Sequence, residues 1–213
     1  MTKAILFDLD GTLLDTSLGI MDSVRYTIAQ LGYEPLSDET ILKFVGPPIQ
    51  NSLINNLGLS PEEAQNGANI FRDYYKNFAL YKATLYPGIK DLLVELKNRG
   101  IKIGVATYKR EDYAIDLLKY FGIADYCNII HGADNENKLT KANIVEMCIN
   151  EIGEDKSEIL LVGDTEHDAK GAQDSNIGFI AVTWGFGYKP TENKIEYPFV
   201  AIVNNTVEII KYL

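Results

Sequence analysis

The sequence predicts an α/β fold, with a doubly wound parallel sheet as its core and a small inserted all-helical domain. Three observations predict it. Short apolar runs end abruptly in polar residues, as strands buried on both faces do. Amphipathic helical patterns lie between these runs, and such alternation is typical of a parallel sheet. The alternation is interrupted once, between about residues 16 and 81, where apolar residues fall only at helical spacing.

Four apolar runs are predicted to be strands of a Rossmann-like sheet. In chain order they are residues 4–7, 101–106, 128–131 and 159–162. The first run is followed directly by Asp8, the second by Thr107, and the fourth, after one glycine, by Asp164. Helices are predicted between the strands where apolar residues recur every three or four positions and a glycine follows, as at Gly100 and Gly122.

The interrupted stretch is interpreted as an inserted domain. Turn-forming residues divide it into about four helices, at positions 32–35, 46–48 and 58–61. We therefore expect an α/β core of residues 1–15 and 83–213, and an inserted helical domain, a cap, of residues 16–82. The alternative is that these helices simply cover one face of the sheet.

The charge balance excludes some classes of partner. The 213 residues include 20 basic and 30 acidic ones, which gives a formal net charge of −10. A surface of that sign repels nucleic-acid polymers and anionic lipid, so a small ligand is expected, and an anionic ligand needs a metal or a few placed cations. Cys127 and Cys148 lie in apolar stretches without metal-ligand spacing. No apolar run fits a signal sequence or a membrane span, which favours a cytoplasmic enzyme.

Polar side chains with complementary chemistry follow the predicted strands. Because strands of a doubly wound sheet end at one edge, where ligands bind, Asp8, Thr107 and Asp164 are expected to converge. The loop after the third run adds an ammonium, from Lys138 or Lys141. Carboxylates can hold Mg²⁺, and an ammonium and a hydroxyl can hold a phosphate. This set of groups predicts phosphoryl transfer.

The pair Asp8 and Asp10 indicates how two carboxylates divide the reaction. Asp8 is expected to attack phosphorus and form an aspartyl phosphate, which splits one difficult displacement into two easier ones. Asp10 is expected to protonate the leaving oxygen and then to activate the water that hydrolyses the intermediate. Ordinary capping of the strand end is the structural alternative for both residues.

The motifs at these positions resemble those of the haloacid dehalogenase superfamily. Residues 8–13, Asp-Leu-Asp-Gly-Thr-Leu, resemble its first signature, and Thr107 lies where the second is expected. Residues 163–168 resemble its Gly-Asp-x-x-x-Asp motif. The resemblance covers nearly the whole chain in the right order, and it implies a magnesium-dependent hydrolase of phosphoric monoesters.

The resemblance also implies a role for each matching residue. Asp8 corresponds to the nucleophile and a metal ligand, and Asp10 to the general acid/base whose backbone carbonyl also reaches the metal. Thr107 corresponds to the phosphate-binding hydroxyl. Asp164 corresponds to a metal ligand, and Asp168 to a residue that holds a metal-bound water or contacts the ion itself.

The phosphate-binding lysine is one of two candidates. Many relatives have Lys-Pro before the next helix, whereas residues 137–145 of this chain read Asn-Lys-Leu-Thr-Lys-Ala-Asn-Ile-Val, without a proline. In the phosphoglycolate phosphatase-like branch the lysine often precedes such a helix directly. The resemblance therefore favours Lys141 over Lys138.

The inserted domain corresponds in position to the C1-type helical cap of the superfamily. Residues 44–49, Phe-Val-Gly-Pro-Pro-Ile, resemble a cap segment that faces the active site in phosphoglycolate phosphatase-like and nucleotidase-like members. A plain turn between two helices is the alternative. Residues 185–188, Gly-Phe-Gly-Tyr, resemble the same branch. The expected partner is a small phosphorylated metabolite such as phosphoglycolate, a nucleoside monophosphate, pyrophosphate or a sugar phosphate.

Two other functions use a similar set of groups. A β-phosphoglucomutase-like enzyme shares the core and returns the phosphoryl group to a sugar. A response-regulator receiver is a phosphoacceptor signalling module with aspartates, a hydroxyl and a lysine at parallel strand ends. That module is shorter and has no helical insertion after its first strand. The pair Asp8 and Asp10 and the late Gly-Asp-x-x-x-Asp motif favour a hydrolase.

Overall fold

The computed structural model describes residues 1–136, 138–191 and 196–213 of the chain. Its strands are β1 (Ala4–Phe7), β2 (Leu14–Asp15), β3 (Thr84–Leu85), β4 (Lys102–Arg110), β5 (Ile129–Ala133), β6 (Ile159–Gly163), β7 (Gly178–Val182) and β8 (Ala201–Val203). Six of them form one sheet in the order β5-β4-β1-β6-β7-β8, and all neighbouring pairs are parallel. The pair β2 and β3 forms a separate small sheet. The predicted fold class is confirmed.

The helices fall into two compact units. They are α1 (Ser17–Gln30), α2 (Asp38–Leu42), α3 (Ile49–Leu57), α4 (Pro61–Tyr74), α5 (Ile89–Asn98), α6 (Glu111–Tyr120), α7 (Lys141–Ile152), α8 (Glu166–Asp174) and α9 (Thr206–Ile209). One unit comprises residues 15–84 with α1 to α4, and the other comprises residues 1–14 and 85–213 with the large sheet. That the first unit is a cap and the second a catalytic core stays a prediction.

The apolar run that opens the chain forms the central strand of the sheet. Ala4 and Leu6 pack into a cluster with apolar residues of α7 and α8. Ile5 and Phe7 alternate with them along β1 and are equally inaccessible to solvent. A strand buried on both faces cannot alternate with polar residues, which explains why this run is continuously apolar. Its first polar residue, Asp8, therefore lies just beyond the carboxyl end of the strand.

Two helices of the larger unit begin at side-chain caps. Thr140 Oγ1 accepts a hydrogen bond from the backbone N–H of Asn143, whose Oδ1 accepts one from the N–H of Thr140. At α8, Asp168 Oδ2 accepts hydrogen bonds from the backbone N and the Oγ1 of Thr165. Such contacts satisfy N–H groups that a first turn leaves without helical partners. They hold Lys141 and Asp168 in the first turns of α7 and α8.

The unit of residues 15–84 is helical, and the prediction of about four helices is confirmed. Gly58 ends α3 with a left-handed backbone conformation, at φ +69°. Ser60 and Glu63 form a capping box at the start of α4, with a proline at its first position. A single π-helical turn, Tyr75–Ala79, follows α4.

The strands differ from the prediction in two places. β4 continues three residues beyond Thr107, and its register with β5 shifts between Ala106 and Arg110. The expectation that this strand ends at Thr107 is therefore wrong, because polar side chains end an apolar run without ending backbone pairing. The strands β2, β3, β7 and β8 were not predicted, and each of β2, β3 and β8 has only two or three residues. None of the described helices has both the length and the apolar character needed to cross a membrane.

Candidate active site

Three buried carboxylates lie together at the carboxyl ends of β1 and β6. Asp8 follows β1, Asp164 follows β6, and Asp168 lies in the first turn of α8. Among the described residues, these three each place a carboxylate oxygen within 4.8 Å of the others. Because β1 and β6 are parallel neighbours with Phe7 opposite Val162, the residues that follow these positions meet at one edge. The structure thus brings together Asp8 and Asp164, which the strand pattern predicted to converge, and with them Asp168, which the resemblance implied.

Two glycines allow the elements of this site to pack closely. A Cβ on Gly163 would lie 2.4 Å from the Cβ of Asp168, which is closer than two real side chains approach. A Cβ on Gly171, in α8, would lie 2.7 Å from the Cγ of Lys141. Neither position tolerates a side chain without a shift of its neighbour.

Lys141 supplies a buried positive charge to the three carboxylates. Its Nζ lies 2.6 Å from Oδ1 of Asp8 and 2.7 Å from Oδ1 of Asp168, and the side chain is 3% exposed. Burial lowers the pKa of this ammonium, but the charges of Asp168 and Asp8 outweigh burial and raise the pKa above its ordinary value. Lys141 is therefore a fixed cation in a crevice of a protein with a net charge of −10.

Of the two candidate lysines, the structure brings Lys141 to the carboxylates and leaves Lys138 on the surface. The Lys138 side chain is 76% exposed and pairs with Glu136. Its backbone N–H donates to the carboxylate of Asp134, which shapes the loop before α7. Asn137, at the start of the segment that carried this prediction, lies outside the described residues.

Backbone N–H groups from the segment after β7 orient Asp164. Its Oδ2 accepts hydrogen bonds from the N–H of Phe186 at 2.7 Å and of Gly187 at 3.4 Å. Its Oδ1 accepts one from Thr12 Oγ1 at 3.5 Å. A Cβ on Gly185 would lie 2.3 Å from Asp164 Oδ2, so the glycine lets this segment approach the carboxylate. The resemblance of residues 185–188 to the phosphoglycolate phosphatase-like branch did not predict this contact.

Asp10 is paired with a lysine that the sequence analysis did not single out. Lys109 Nζ lies 3.0 Å from Asp10 Oδ2, and both side chains are mostly buried. Lys109 lies two positions after Thr107 in β4, and residues two apart in a strand share a face. This spacing of two residues from Thr107 was the feature of the sequence that could have indicated Lys109 as a residue of the site. Thr107 is buried, and its Oγ1 accepts a hydrogen bond from the N–H of Lys109 at 3.1 Å, a bond that does not use the hydrogen of the hydroxyl group.

The electrostatics of the three carboxylates favour a bound cation. Burial raises the pKa of Asp8 to about 7, although Lys141 lowers it, and the charge of Asp168 raises it further. Burial and the charges of Asp168 and Asp8 raise the pKa of Asp164 well above its ordinary value. The single positive charge of Lys141 does not balance the negative charges of three carboxylates in a site that is shielded from solvent. A hard cation with oxygen ligands would do so, and these side chains are a fitting donor set for Mg²⁺.

The stability of the metal-free protein is expected to fall as the pH rises from about 4 to 7. The pKa of Asp8 is about 7 in the folded protein and near 3.8 in an unfolded chain, so between these values the folded state binds the proton more tightly. Stability is therefore lost as the pH rises through the folded-state pKa. Unfolding temperatures in EDTA across this range measure the slope, and Mg²⁺ is expected to remove it. Asp8→Asn lacks the titrating group, and an unchanged slope in that variant contradicts this assignment.

Comparison with known proteins connects this geometry to a family. The sequence profile of the haloacid dehalogenase-like hydrolase family matches residues 5–182. The chain is 31% identical to a 5'-nucleotidase from Pseudomonas aeruginosa over 184 residues, which cover 86% of this chain and 83% of that protein. It is also 31% identical to the tyrosine-protein kinase PtkA of Mycobacterium tuberculosis over 186 residues, which cover 87% of this chain. The chain spans 63% of the length of that kinase.

A solved structure is similar over nearly the whole chain. It is the crystal structure of a predicted phosphatase from Clostridium acetobutylicum, with a TM-score of 0.92 and 32% sequence identity, and the match covers 99% of this chain and 97% of that one. The family profile covers most of the chain and includes the carboxylates and lysine of the crevice. The protein therefore belongs to the haloacid dehalogenase-like hydrolases.

Proposed function

We propose that this protein is a magnesium-dependent phosphatase that hydrolyses a small phosphomonoester through an aspartyl-phosphate intermediate. The observation that carries the proposal is the position of Asp8. Its Oδ1 lies 2.6 Å from Lys141 Nζ, and its carboxylate belongs to the buried group of three. A carboxylate that attacks a phosphate dianion needs such compensating positive charge beside it. Membership of a hydrolase family supports the same chemistry.

In the first half of the proposed reaction, Asp8 is the nucleophile and Asp10 is the acid. A carboxylate oxygen of Asp8 bonds to phosphorus while the bond from phosphorus to the ester oxygen breaks. The electron pair of the broken bond stays on the leaving oxygen, which takes a proton from the carboxyl group of Asp10. An alcohol leaves, Asp8 is phosphorylated, and Asp10 becomes a carboxylate.

In the second half, water replaces the alcohol. Its oxygen bonds to phosphorus, its proton passes to the carboxylate of Asp10, and the bond from phosphorus to Asp8 breaks. Inorganic phosphate leaves and Asp8 is again a carboxylate. Asp10 has regained the proton that it gave to the first leaving group, so the cycle closes.

Two side chains are proposed to hold the phosphoryl group during both halves. The Lys141 ammonium already faces Asp8, and the Thr107 hydroxyl can donate its hydrogen to a phosphoryl oxygen while it accepts from the backbone N–H of Lys109. Bound Mg²⁺ would offset the repulsion between the nucleophile and the phosphate oxygens. Its proposed ligands are the carboxylates of Asp8, Asp164 and Asp168 and the backbone carbonyl of Asp10.

The proposed substrate class is a small phosphorylated metabolite. The net charge of −10 disfavours a nucleic-acid polymer, and the 5'-nucleotidase relative supports nucleoside monophosphates as one group to test. The crevice residues recognise the phosphoryl group, which is common to all phosphomonoesters. Selectivity must then come from groups that meet the rest of the substrate, and we assign this role to residues 15–84, as a cap.

Phosphate release across a panel of substrates tests the proposal. The panel contains 2-phosphoglycolate, nucleoside 5'-monophosphates, pyrophosphate, sugar phosphates and p-nitrophenyl phosphate, each with Mg²⁺. Many turnovers per chain with at least one ester support the proposal. A single retained phosphoryl group without turnover indicates a phosphoacceptor module, and formation of a second sugar phosphate without phosphate release indicates a mutase. If none of the esters is hydrolysed, the proposed function is wrong.

Gly46→Leu is expected to change the ranking of substrates by several-fold in kcat/KM. Gly46 has φ +104°, which a leucine adopts only with strain, and it follows the buried residues Phe44 and Val45. The substitution therefore displaces a packed turn of the proposed cap. Gly32→Leu is the matched control, because Gly32 also has a positive φ and lies in the same unit but has open space around it. If both variants fold and keep the wild-type ranking, the turn at Gly46 is only a connector between helices.

A further inference from the structure

Lys109 forms a second buried ion pair in the candidate active site. Its side chain is 6% exposed and that of Asp10 is 11% exposed, and 3.0 Å separates Lys109 Nζ from Asp10 Oδ2. A buried ammonium is costly unless a carboxylate compensates it, so this pair is a strong restraint on both side chains. Lys109 lies in the part of β4 where the register with β5 shifts. Such irregularities change the direction in which side chains point, and they are common next to active sites.

The two buried lysines contact different members of the pair of aspartates. Lys141 contacts Asp8 and Asp168, whereas Lys109 contacts Asp10. The first lysine is therefore placed where the phosphoryl group is transferred. The second is placed at the residue that exchanges protons with the leaving group and with water. The different contacts thus indicate different roles. Lys141 is suited to bind the phosphoryl group, whereas Lys109 is suited to act on Asp10.

We propose that Lys109 is a positioning residue that fixes the carboxyl group of Asp10 for its two proton transfers, a role that rests on the proposed function above. Asp10 lies beyond the end of β1 and directly before Gly11, which has φ +88°, so strand pairing alone does not fix its side chain. The ion pair between Lys109 Nζ and Asp10 Oδ2 restrains the plane and the position of the carboxyl group. The same logic orients a catalytic base through a third group in other enzymes.

If Lys109 only positions Asp10, its removal should slow the reaction by a limited factor, and the loss of rate should depend on the leaving group of the ester. A misplacement of about 1 Å costs on the order of 10²-fold in rate, and loss of the acid itself costs roughly 10²–10⁴-fold. Removal of Lys109 is therefore expected to slow the first half-reaction by about 10–100-fold for an alkyl phosphate, whose leaving oxygen needs a proton. For p-nitrophenyl phosphate, whose leaving group departs without one, the loss is expected to be only a few-fold. A lysine that binds phosphate would slow both esters equally.

The first test compares Lys109→Met with the wild type by single-turnover formation of the phosphoenzyme from both esters. Lys109→Arg keeps the charge and is expected to retain more of the rate with the alkyl ester. Lys102→Met, on the same strand, removes a partly exposed lysine paired with Glu154 and is the control for loss of a lysine in β4. Should Lys109→Met not fold, Lys109→Gln replaces it with the same expected pattern. Equal losses with both esters, or no loss at all, overturn the proposal.

The second test places Lys109→Met in an Asp10→Asn background. If Lys109 acts through Asp10, it has nothing to position there and the double variant is expected to be no slower than Asp10→Asn alone. A further loss of the full 10–100-fold would show that Lys109 acts without Asp10, and the proposal would be wrong. If Asp10→Asn itself does not discriminate between the two esters, the proposed function fails in its acid step. If it discriminates and Lys109→Met does not, this inference fails and the proposed function stands.

Discussion

Asp8→Asn is expected to abolish phosphate release, with a loss on the order of 10⁴-fold or more, because an amide cannot serve as the nucleophile. The variant is expected to remain folded. Asparagine has nearly the volume of aspartate, and burial already disfavours the charged form of Asp8, whose pKa is raised to about 7. Phosphate release with the best ester of the panel measures the first effect, and the unfolding temperature in EDTA measures the second.

Two further variants make the result with Asp8→Asn decisive. Asp8→Ala cannot deamidate back to aspartate, so it separates true residual activity from slow chemical reversion. Asp174→Asn removes a surface carboxylate of α8 that pairs with Lys170, and it is expected to keep wild-type turnover. Full activity in purified Asp8→Asn and Asp8→Ala, free of contaminating phosphatase, would falsify the assignment of the nucleophile.

Removal of divalent metal with EDTA is expected to abolish turnover, and Mg²⁺ in excess is expected to restore it. Asp8, Asp164 and Asp168 lie within 4.8 Å of one another with Lys141 as their cation, so a phosphate dianion entering without metal meets a net negative charge. The expected loss is comparable to that of Asp8→Asn, because charge compensation is needed for the attack itself. The control is EDTA saturated with Mg²⁺ before it is added.

Metal binding can also be measured without turnover. A ligand that binds only the folded state raises the unfolding temperature, and above its Kd the stabilisation grows with the logarithm of its concentration, so Mg²⁺ is expected to stabilise the wild type. Asp164→Asn keeps the two backbone N–H contacts near the carboxylate position but removes a charged donor, and it is expected to weaken this response. Full activity in chelator, with no effect of Mg²⁺ on unfolding, contradicts a metal-dependent mechanism.

The main features of the fold and of the crevice could be predicted from the sequence because they depend on periodicity and strand direction. The runs before Asp8 and Asp164 are continuously apolar, which only strands buried on both faces require. Parallel strands end at one edge of the sheet, so the two carboxylates were expected to lie close together. That expectation required no information about side-chain contacts. The same logic brought an ammonium to that edge, from Lys138 or Lys141 in the stretch after the third predicted strand.

Other features depend on contacts that no local pattern encodes. Lys109 was not predicted because β4 was expected to end at Thr107, whereas backbone pairing continues to Arg110 through polar residues. The N–H groups that orient Asp164 come from Phe186 and Gly187, and a backbone donor leaves no signature in the side-chain sequence. The choice between the two candidate lysines likewise rested on resemblance, since both lie in one polar stretch of the sequence after the third predicted strand.

The position of β1 in the sheet has a consequence for synthesis on the ribosome. Ala4 pairs with Lys102 in β4 and with Ile159 in β6, about 98 and 155 residues later in the chain. At roughly 5–20 residues per second, the newly made strand waits about 5–20 s for one neighbour and about 8–31 s for the other. Residues 15–84, translated in the interval, form a compact unit with local contacts and can fold first. A nascent chain halted before β4 is therefore expected to carry a folded helical segment and an apolar strand without either of its neighbours, and an unpaired apolar strand is the kind of surface that chaperones bind.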